Sequence, residues 1–377
     1  MLMYSMQAVL LGALAWIAIV PQCRRRLVPT AAIVLWTVGV AAIRFRYGAD
    51  GQLDFYSNDQ RYHIFLVDKL DWGGRPMFFS DLEERRYTFL GWAWLGRLVG
   101  LDDVLVLKFV SLVCSLATFR IVERQLDEAG VGHRLRWVWL TTGPVMLFFS
   151  LLALRETMLA LSLTYLFFGQ NPSLRLAAFV NAGLLRPHLG LALVVAFPLA
   201  WLVRRIPATW HTVRLAATTV CSTLLGAWML DVIARAMGTW LPWDRPFPPD
   251  KQAVFGLLAN LTGLQFFLVD TVAIERSLLS LMATRALFPE TIVVPTLFTV
   301  SLLMPLARRE PLRMWVLTTF LIYLGVITGT DFTSFRQTLP FFPTMGLFVI
   351  FAWMAVREWW QPLREPGTTD FAATPVG

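Results

Sequence analysis

The sequence predicts an all-α membrane protein, a polytopic transmembrane helical bundle of about eleven spans, and three observations carry that prediction. Hydrophobic residues make up 56% of the 377-residue chain and the mean hydropathy is +0.59, above what soluble domains show. Apolar stretches approaching the ~20 residues needed to cross a hydrocarbon core recur from end to end. Basic residues cluster on alternate links between those stretches, the pattern that orients membrane spans.

In order, the apolar segments are 5–21, 29–44, 102–120, 136–152, 154–170, 174–187, 189–203, 210–231, 290–307, 314–330 and 336–356. Residues Met1–Val20 lack a basic stretch ahead of the apolar run, so they read as a retained span, not a signal peptide. Segments 174–187 and 189–203 are short, and one of them reads as a broken or half-spanning helix. Arg24, Arg25 and Arg26 follow the first span. Arg120, Arg124, Arg134 and Arg136 bracket the link after the third. Arg175 follows the fifth, Arg204 and Arg205 the seventh, Arg308, Arg309 and Arg313 the ninth, and Arg357 and Arg364 the last. All these links share one side if the N-terminus is outside and the C-terminus cytoplasmic. Eleven spans satisfy that parity; ten or twelve do not.

One membrane domain therefore covers 1–360, with outer loops 45–101 and 232–289. Within the first loop, Tyr87–Gly100 reads as an amphipathic run that lies in the interface or dips into the membrane. The second opens with a Pro- and Trp-rich stretch, Trp240–Pro249, suited to headgroup level. The polar tail 361–377 reads as disordered and cytoplasmic. The net charge is +8, and 30 of the 33 basic residues are Arg. Because they sit in short links between spans, they indicate orientation in a bilayer and not a nucleic-acid partner. Cys23, Cys114 and Cys221 have neither metal-ligand nor disulfide-framework spacing.

An ionisable side chain at membrane depth costs roughly 2.5–3.5 kcal/mol on insertion scales, so each one is a functional candidate. Arg155 and Glu156 interrupt the apolar run between the fourth and fifth spans. Arg186 and His188 flank Pro187, and Asp331 and Arg336 lie between the last two spans. The first loop adds Arg44, Asp50, Asp59, Arg61 and Tyr62. Plainer roles exist for each. Arg155 and Glu156 can snorkel to the interface, His188 can cap or pack, and Asp331 can pair with Arg336 across a turn. Pro187 disrupts the backbone ladder, and broken membrane helices persist where they line a cavity or are buried in protein. Taken jointly, Arg155, Arg186 and Arg336 face outward at similar depth. Guanidinium forks bind phosphate bidentately, so beside lipid they suggest a phosphate or diphosphate on a lipid carrier. A nearby carboxylate supplies a general base for a hydroxyl nucleophile. Together these parts describe glycosyl transfer on the outer face.

At these residues the chain resembles the EpsG-type membrane proteins of bacterial exopolysaccharide synthesis, which are similar to Wzy-type polymerases and to GT-C membrane glycosyltransferases. The likeness is carried by Arg44-Phe-Arg-Tyr-Gly48-Ala-Asp50 and Asp59-Gln-Arg-Tyr62-His-Ile-Phe65 in the first loop. Glu84-Arg-Arg-Tyr87, Arg155-Glu-Thr-Met-Leu-Ala160, His188 and the late Arg336 extend it. Either Asp50 or Asp59 takes the family's acidic position; Asp59 keeps the Tyr and Phe spacing. Glu156 stands where the family usually has Gln. The resemblance covers most of 1–205. It implies a GT-C-like bundle in the bacterial cytoplasmic membrane, a polyprenyl-linked sugar donor and a glycan acceptor.

Asp59, Glu84 or Asp50 is then the base, and Arg155, Arg186 and Arg336 hold the donor phosphates. Glu156, His188, Asp331, Arg44, Arg61 and Tyr62 complete the substrate site. No cofactor is predicted, although Asp50, Asp54 and Asp59 could offer a divalent cation a site. A transporter or flippase of an anionic lipid-linked substrate is the alternative, and a scaffold without chemistry the third. Span centres nearly free of charge, apart from Lys108 and Arg97, and the absence of an internal repeat weigh against transport.

Overall fold

The computed structural model describes residues 2–23, 25–47, 87–131, 143–237, 290–304, 306, 309–330 and 338–360. Among them every regular element is helical. In chain order these are α1 (Leu2–Ile19), α2 (Leu27–Tyr47), α3 (Tyr87–Leu98), α4 (Asp103–Glu128), α5 (Pro144–Ser150) and α6 (Glu156–Phe168). Then come α7 (Pro172–Leu185), α8 (Pro187–Val203), α9 (His211–Met237), α10 (Glu290–Ser301), α11 (Glu310–Thr330) and α12 (Phe342–Trp360). A helix stands in each of the eleven apolar segments, and α3 occupies the amphipathic run of the first loop.

Among the described residues, four segments are long and apolar enough to cross a membrane: Leu2–Gln22, Leu27–Arg46, Asp103–Glu128 and Leu339–Arg357. They differ in position. Only 33% and 28% of the apolar windows of the first two are buried in protein, against 72% of the last. The α1–α2 hairpin is thus peripheral and α12 central. A separate apolar cluster ties α1 and α2 to α4 through Leu11, Trp36, Val40 and Leu112.

Contacts fix how the helices run. Gln7 Nε2 donates to the Gly100 carbonyl at the start of α4, and Arg120 of α4 bonds Gln22 beyond the end of α1, so α1 and α4 are parallel. Ser111 Oγ donates to Leu154 O and Gln170 Nε2 to Glu128 Oε1, so α4 and α6 also run together. From α6 the chain doubles back through α7 and again through α8. Gly183 and Gly190 let α7 and α8 meet closely beside their junction: a Cβ on Gly190 would lie 2.7 Å from Gly183 Cα.

The bundle consequently has one basic end. Arg120, Arg124, Arg175, Arg204, Arg205, Arg309 and Arg313 lie there with Glu128, His211 and Glu310. Arg313 is not the solvated link residue that its place in the sequence predicts. It is buried, donating to Ser301 O (2.7 Å), Met304 O (2.5 Å) and Glu310 Oε2 (2.6 Å). The carboxylate also accepts from Leu306 N, and His211 faces it at 3.6 Å while its other ring nitrogen contacts Leu302 O. These bonds satisfy carbonyls left open where α10 ends.

Three consecutive helices are short. At about 1.5 Å per residue, α6, α7 and α8 measure roughly 20, 21 and 26 Å, against a hydrocarbon core of about 30 Å. The turn between α7 and α8 therefore falls inside the bundle, while the exposed α6–α7 turn stays at the basic end, where Gln170 meets Glu128.

Candidate functional site

The chain breaks twice at one level. After α5 it makes a turn over residues 151–155 before α6 begins, and between α7 and α8 it breaks at Arg186. Each break leaves backbone groups without a helical partner, and in an apolar setting these must be satisfied within the protein. At the first break, Trp36 Nε1 donates to Ser150 O (3.0 Å) and Ser111 Oγ to Leu154 O (3.0 Å). Pro187 forces the second. It disfavours helical backbone at the residue before it, and Arg186 is extended, with φ −145° and ψ 95°. The Leu189 amide, which would bond Leu185 O in a continuous helix, bonds Arg186 O instead. Arg155 Nη1 takes the Leu185 carbonyl at 2.5 Å. A guanidinium thus caps the negative end of α7.

Arg186 turns inward from its break and is 2% exposed. Its Nη2 donates to Glu156 Oε1 at 2.8 Å, and its Nη1 to the Tyr323 hydroxyl. Glu156, the first residue of α6, is equally buried. Its carboxylate sits at the positive end of that helix, where negative charge is favoured. His188, one residue past Pro187, lies flat on the Tyr323 ring (centroids 5.6 Å apart, planes 9° apart). Its Nε2 is buried and has no hydrogen-bond partner among the described residues. Behind Tyr323, Phe341 closes the packing at 5.6 Å from the short 3₁₀ turn Leu339–Phe341.

Four of the residues predicted from sequence, Arg155, Glu156, Arg186 and His188, therefore come together. The four side chains and Tyr323 carry two guanidiniums and one carboxylate, a sum of +1. Arg44 joins none of them: its guanidinium lies over the Tyr4 ring at 4.8 Å, tying α2 to α1. Asp50, Asp59, Arg61, Tyr62, Glu84, Asp331 and Arg336 lie outside the described residues. So does Asp54, and with it the acidic set offered for a cation; among the described residues no three such ligands gather.

The cluster is also deeper than the sequence predicts. Leu154 is level with Ser111, eight residues into α4, which places it about 12 Å inside the end of that helix. Tyr323 stands seven residues before the end of α11, about 10 Å in. Lys108, one turn above Ser111, is buried as well. Short helices cause the difference: α6 and α7, of 13 and 14 residues, meet at the basic end, so the breaks at their far ends, before Glu156 and at Arg186, fall short of a surface set by longer helices. Tyr323 went unrecognised in the sequence, where it reads as one more aromatic in an apolar run.

A comparison of the chain with protein-family models, with characterised proteins and with solved structures finds no match in any of the three.

Proposed function

We propose that the chain is a multi-pass glycosyltransferase or glycan polymerase of the bacterial cytoplasmic membrane, taking a polyprenyl-phosphate- or diphosphate-linked sugar from the outer leaflet. The convergence of Arg155 and Arg186, from two separate chain breaks, on one point with Glu156, His188 and Tyr323 carries this reading. Positive charge held inside an apolar bundle, away from the basic end, suits a substrate that brings its own anion on a lipid tail. With the basic end cytoplasmic by the positive-inside rule, the N-terminus is outside and the cluster lies toward the outer face. The EpsG- and Wzy-like residues of the first loop belong on that face too.

In this mechanism Glu156 and Tyr323 hold the Arg186 guanidinium in place. Its charge is then preorganised for the phosphate on the departing lipid and needs no rearrangement. Arg155 lies beside it, and Arg336 and Asp331, assigned from the sequence, serve the same phosphate. Asp59, or else Glu84 or Asp50, takes the proton from the acceptor hydroxyl as that oxygen attacks the anomeric carbon. The bond to the phosphate oxygen breaks, and direct displacement inverts the anomer. Arg44, Arg61 and Tyr62 line the approach, and His188 Nε2 is a buried hydrogen-bonding position for the sugar.

One observation favours the alternative of a transporter or flippase: the charges lie about 10 Å inside the helix ends, at broken helices, as substrate sites of secondary transporters do. A single preparation separates the two. Proteoliposomes holding a polyprenyl-diphosphate-linked oligosaccharide should lengthen the glycan, and Arg155→Ala should lengthen it at least about tenfold more slowly at equal protein level. Movement of the donor between leaflets with no new glycosidic bond would establish transport instead.

A further inference from the structure

On the side of the bundle away from the candidate site, α7 and α8 diverge from their glycine contact and leave a groove of about 410 Å³ between them. Leu176, Phe179, Val194 and Phe197 form its walls, and Trp315 of α11 lies at its base. Leu176, Val194 and Phe197 are 63%, 54% and 59% exposed, so the walls open to the lipid-facing surface. The groove is apolar except at one point. Arg175 stands at its edge, at the basic end of the bundle, with Nε donating to Leu166 O at 2.8 Å. That bond fixes the guanidinium plane, and both Nη groups have no partner among the described residues. The Trp315 indole N–H is also without a partner among them. Arg175 lies on the first turn of α7, whose positive end adds to its charge.

A half-fixed guanidinium at the headgroup end of an alkyl-sized channel has the chemistry of a phospholipid site. Terminal Nη groups meet phosphate as a fork, the groove takes a length of acyl chain, and Arg204 and Arg205 deepen the positive field at the same end. We infer that this groove binds an anionic phospholipid from the leaflet at the basic end, with the phosphate on Arg175 and one acyl chain between α7 and α8. The site lies at the opposite end of α7 from Arg186 and does not depend on glycosyl transfer.

The full chain is reconstituted in phosphatidylcholine bilayers containing a trace of phosphatidylglycerol with a photoreactive diazirine on one acyl chain, and adducts are mapped by peptide mass spectrometry. Adducts are expected to concentrate on residues 172–179 and 193–197. Arg175→Gln should reduce them roughly tenfold, the loss of one charge-assisted contact. Val194→Trp, which fills the groove and leaves Arg175 in place, should reduce them as well. A phosphatidylcholine probe with the same chain should label the groove no more than it labels Leu10 and Leu14 on the exposed face of α1. Equal labelling by the two lipids overturns the inference. So do undiminished yields in both variants, or cross-links to a second copy of the chain when Phe179 is itself replaced by photoreactive p-benzoylphenylalanine.

Discussion

Glu156 and Arg186 show what a buried ion pair does at the scale of single residues. Together the two charges are tolerated in an apolar core; alone, either is not. Arg186→Ala removes the guanidinium bonded to the buried Glu156 carboxylate and should destabilise the detergent-solubilised protein by about 3–5 kcal/mol, whereas Glu156→Leu combined with Arg186→Met should recover most of that loss. Thermal unfolding of the two variants side by side measures the difference. Arg313 makes the same point at the basic end. Its three bonds close the start of α11, so Arg313→Ala should cost a similar ~3–5 kcal/mol. Arg357, exposed on α12, should tolerate Ala within about 0.5 kcal/mol. The sequence offers no way to tell these two arginines apart. Both follow an apolar run near a basic link, and only the carbonyls of Ser301 and Met304 distinguish them.

Helix placement was legible in the sequence, as was the shortness of 174–187 and 189–203, but the length of α6 was not. The segments 136–152 and 154–170 stand almost end to end, so hydropathy marks a boundary at 153 without showing that the backbone turns over Leu151-Leu-Ala-Leu154 and that α6 begins only at Glu156. Pro187 announced the other break, because its effect on the preceding residue is local and obligatory. Close crossings were hidden as well, since a glycine within an apolar run does not reveal what it faces. Gly226 of α9 faces α11, where an added Cβ would lie 2.9 Å from Ile322 O and 3.0 Å from Gly325 Cα. A Gly→Ala change within a helix ordinarily gains up to about 1 kcal/mol from propensity. Gly226→Ala should reverse that sign and cost about 1–3 kcal/mol by overpacking. Gly91→Ala on α3, with nothing within 4 Å, should keep the gain. Chemical denaturation of both variants in mixed micelles gives the two signs.

For the whole molecule, the basic links that suggested an orientation come to one end of the bundle through contacts that hydropathy does not use, such as Arg120 with Gln22 and Arg175 with Leu166. The orientation itself is testable. In a Cys221→Ala background, in which Cys23 and Cys114 are buried, a membrane-impermeant maleimide should label Val99→Cys in intact cells, and Ser173→Cys only after permeabilisation. The opposite order would reverse the assignment and place the candidate site on the cytoplasmic side. Of that site, the sequence identified the charged members because charges stand out in an apolar run. It missed Tyr323, which differs from its neighbours by one hydroxyl, and it set the cluster too near the surface because the shortness of α6 was hidden, although that of 174–187 was read. The most direct test of the account uses the charge-free pair. Proteoliposomes carrying Glu156→Leu with Arg186→Met, shown to be folded, are supplied with a polyprenyl-diphosphate-linked oligosaccharide and the rate of glycan extension is measured. A fall of about 10²-fold or more from wild type is predicted, the size expected when a preorganised charge is removed from a reaction centre. Extension at the wild-type rate would contradict the account, leaving the cluster as packing alone.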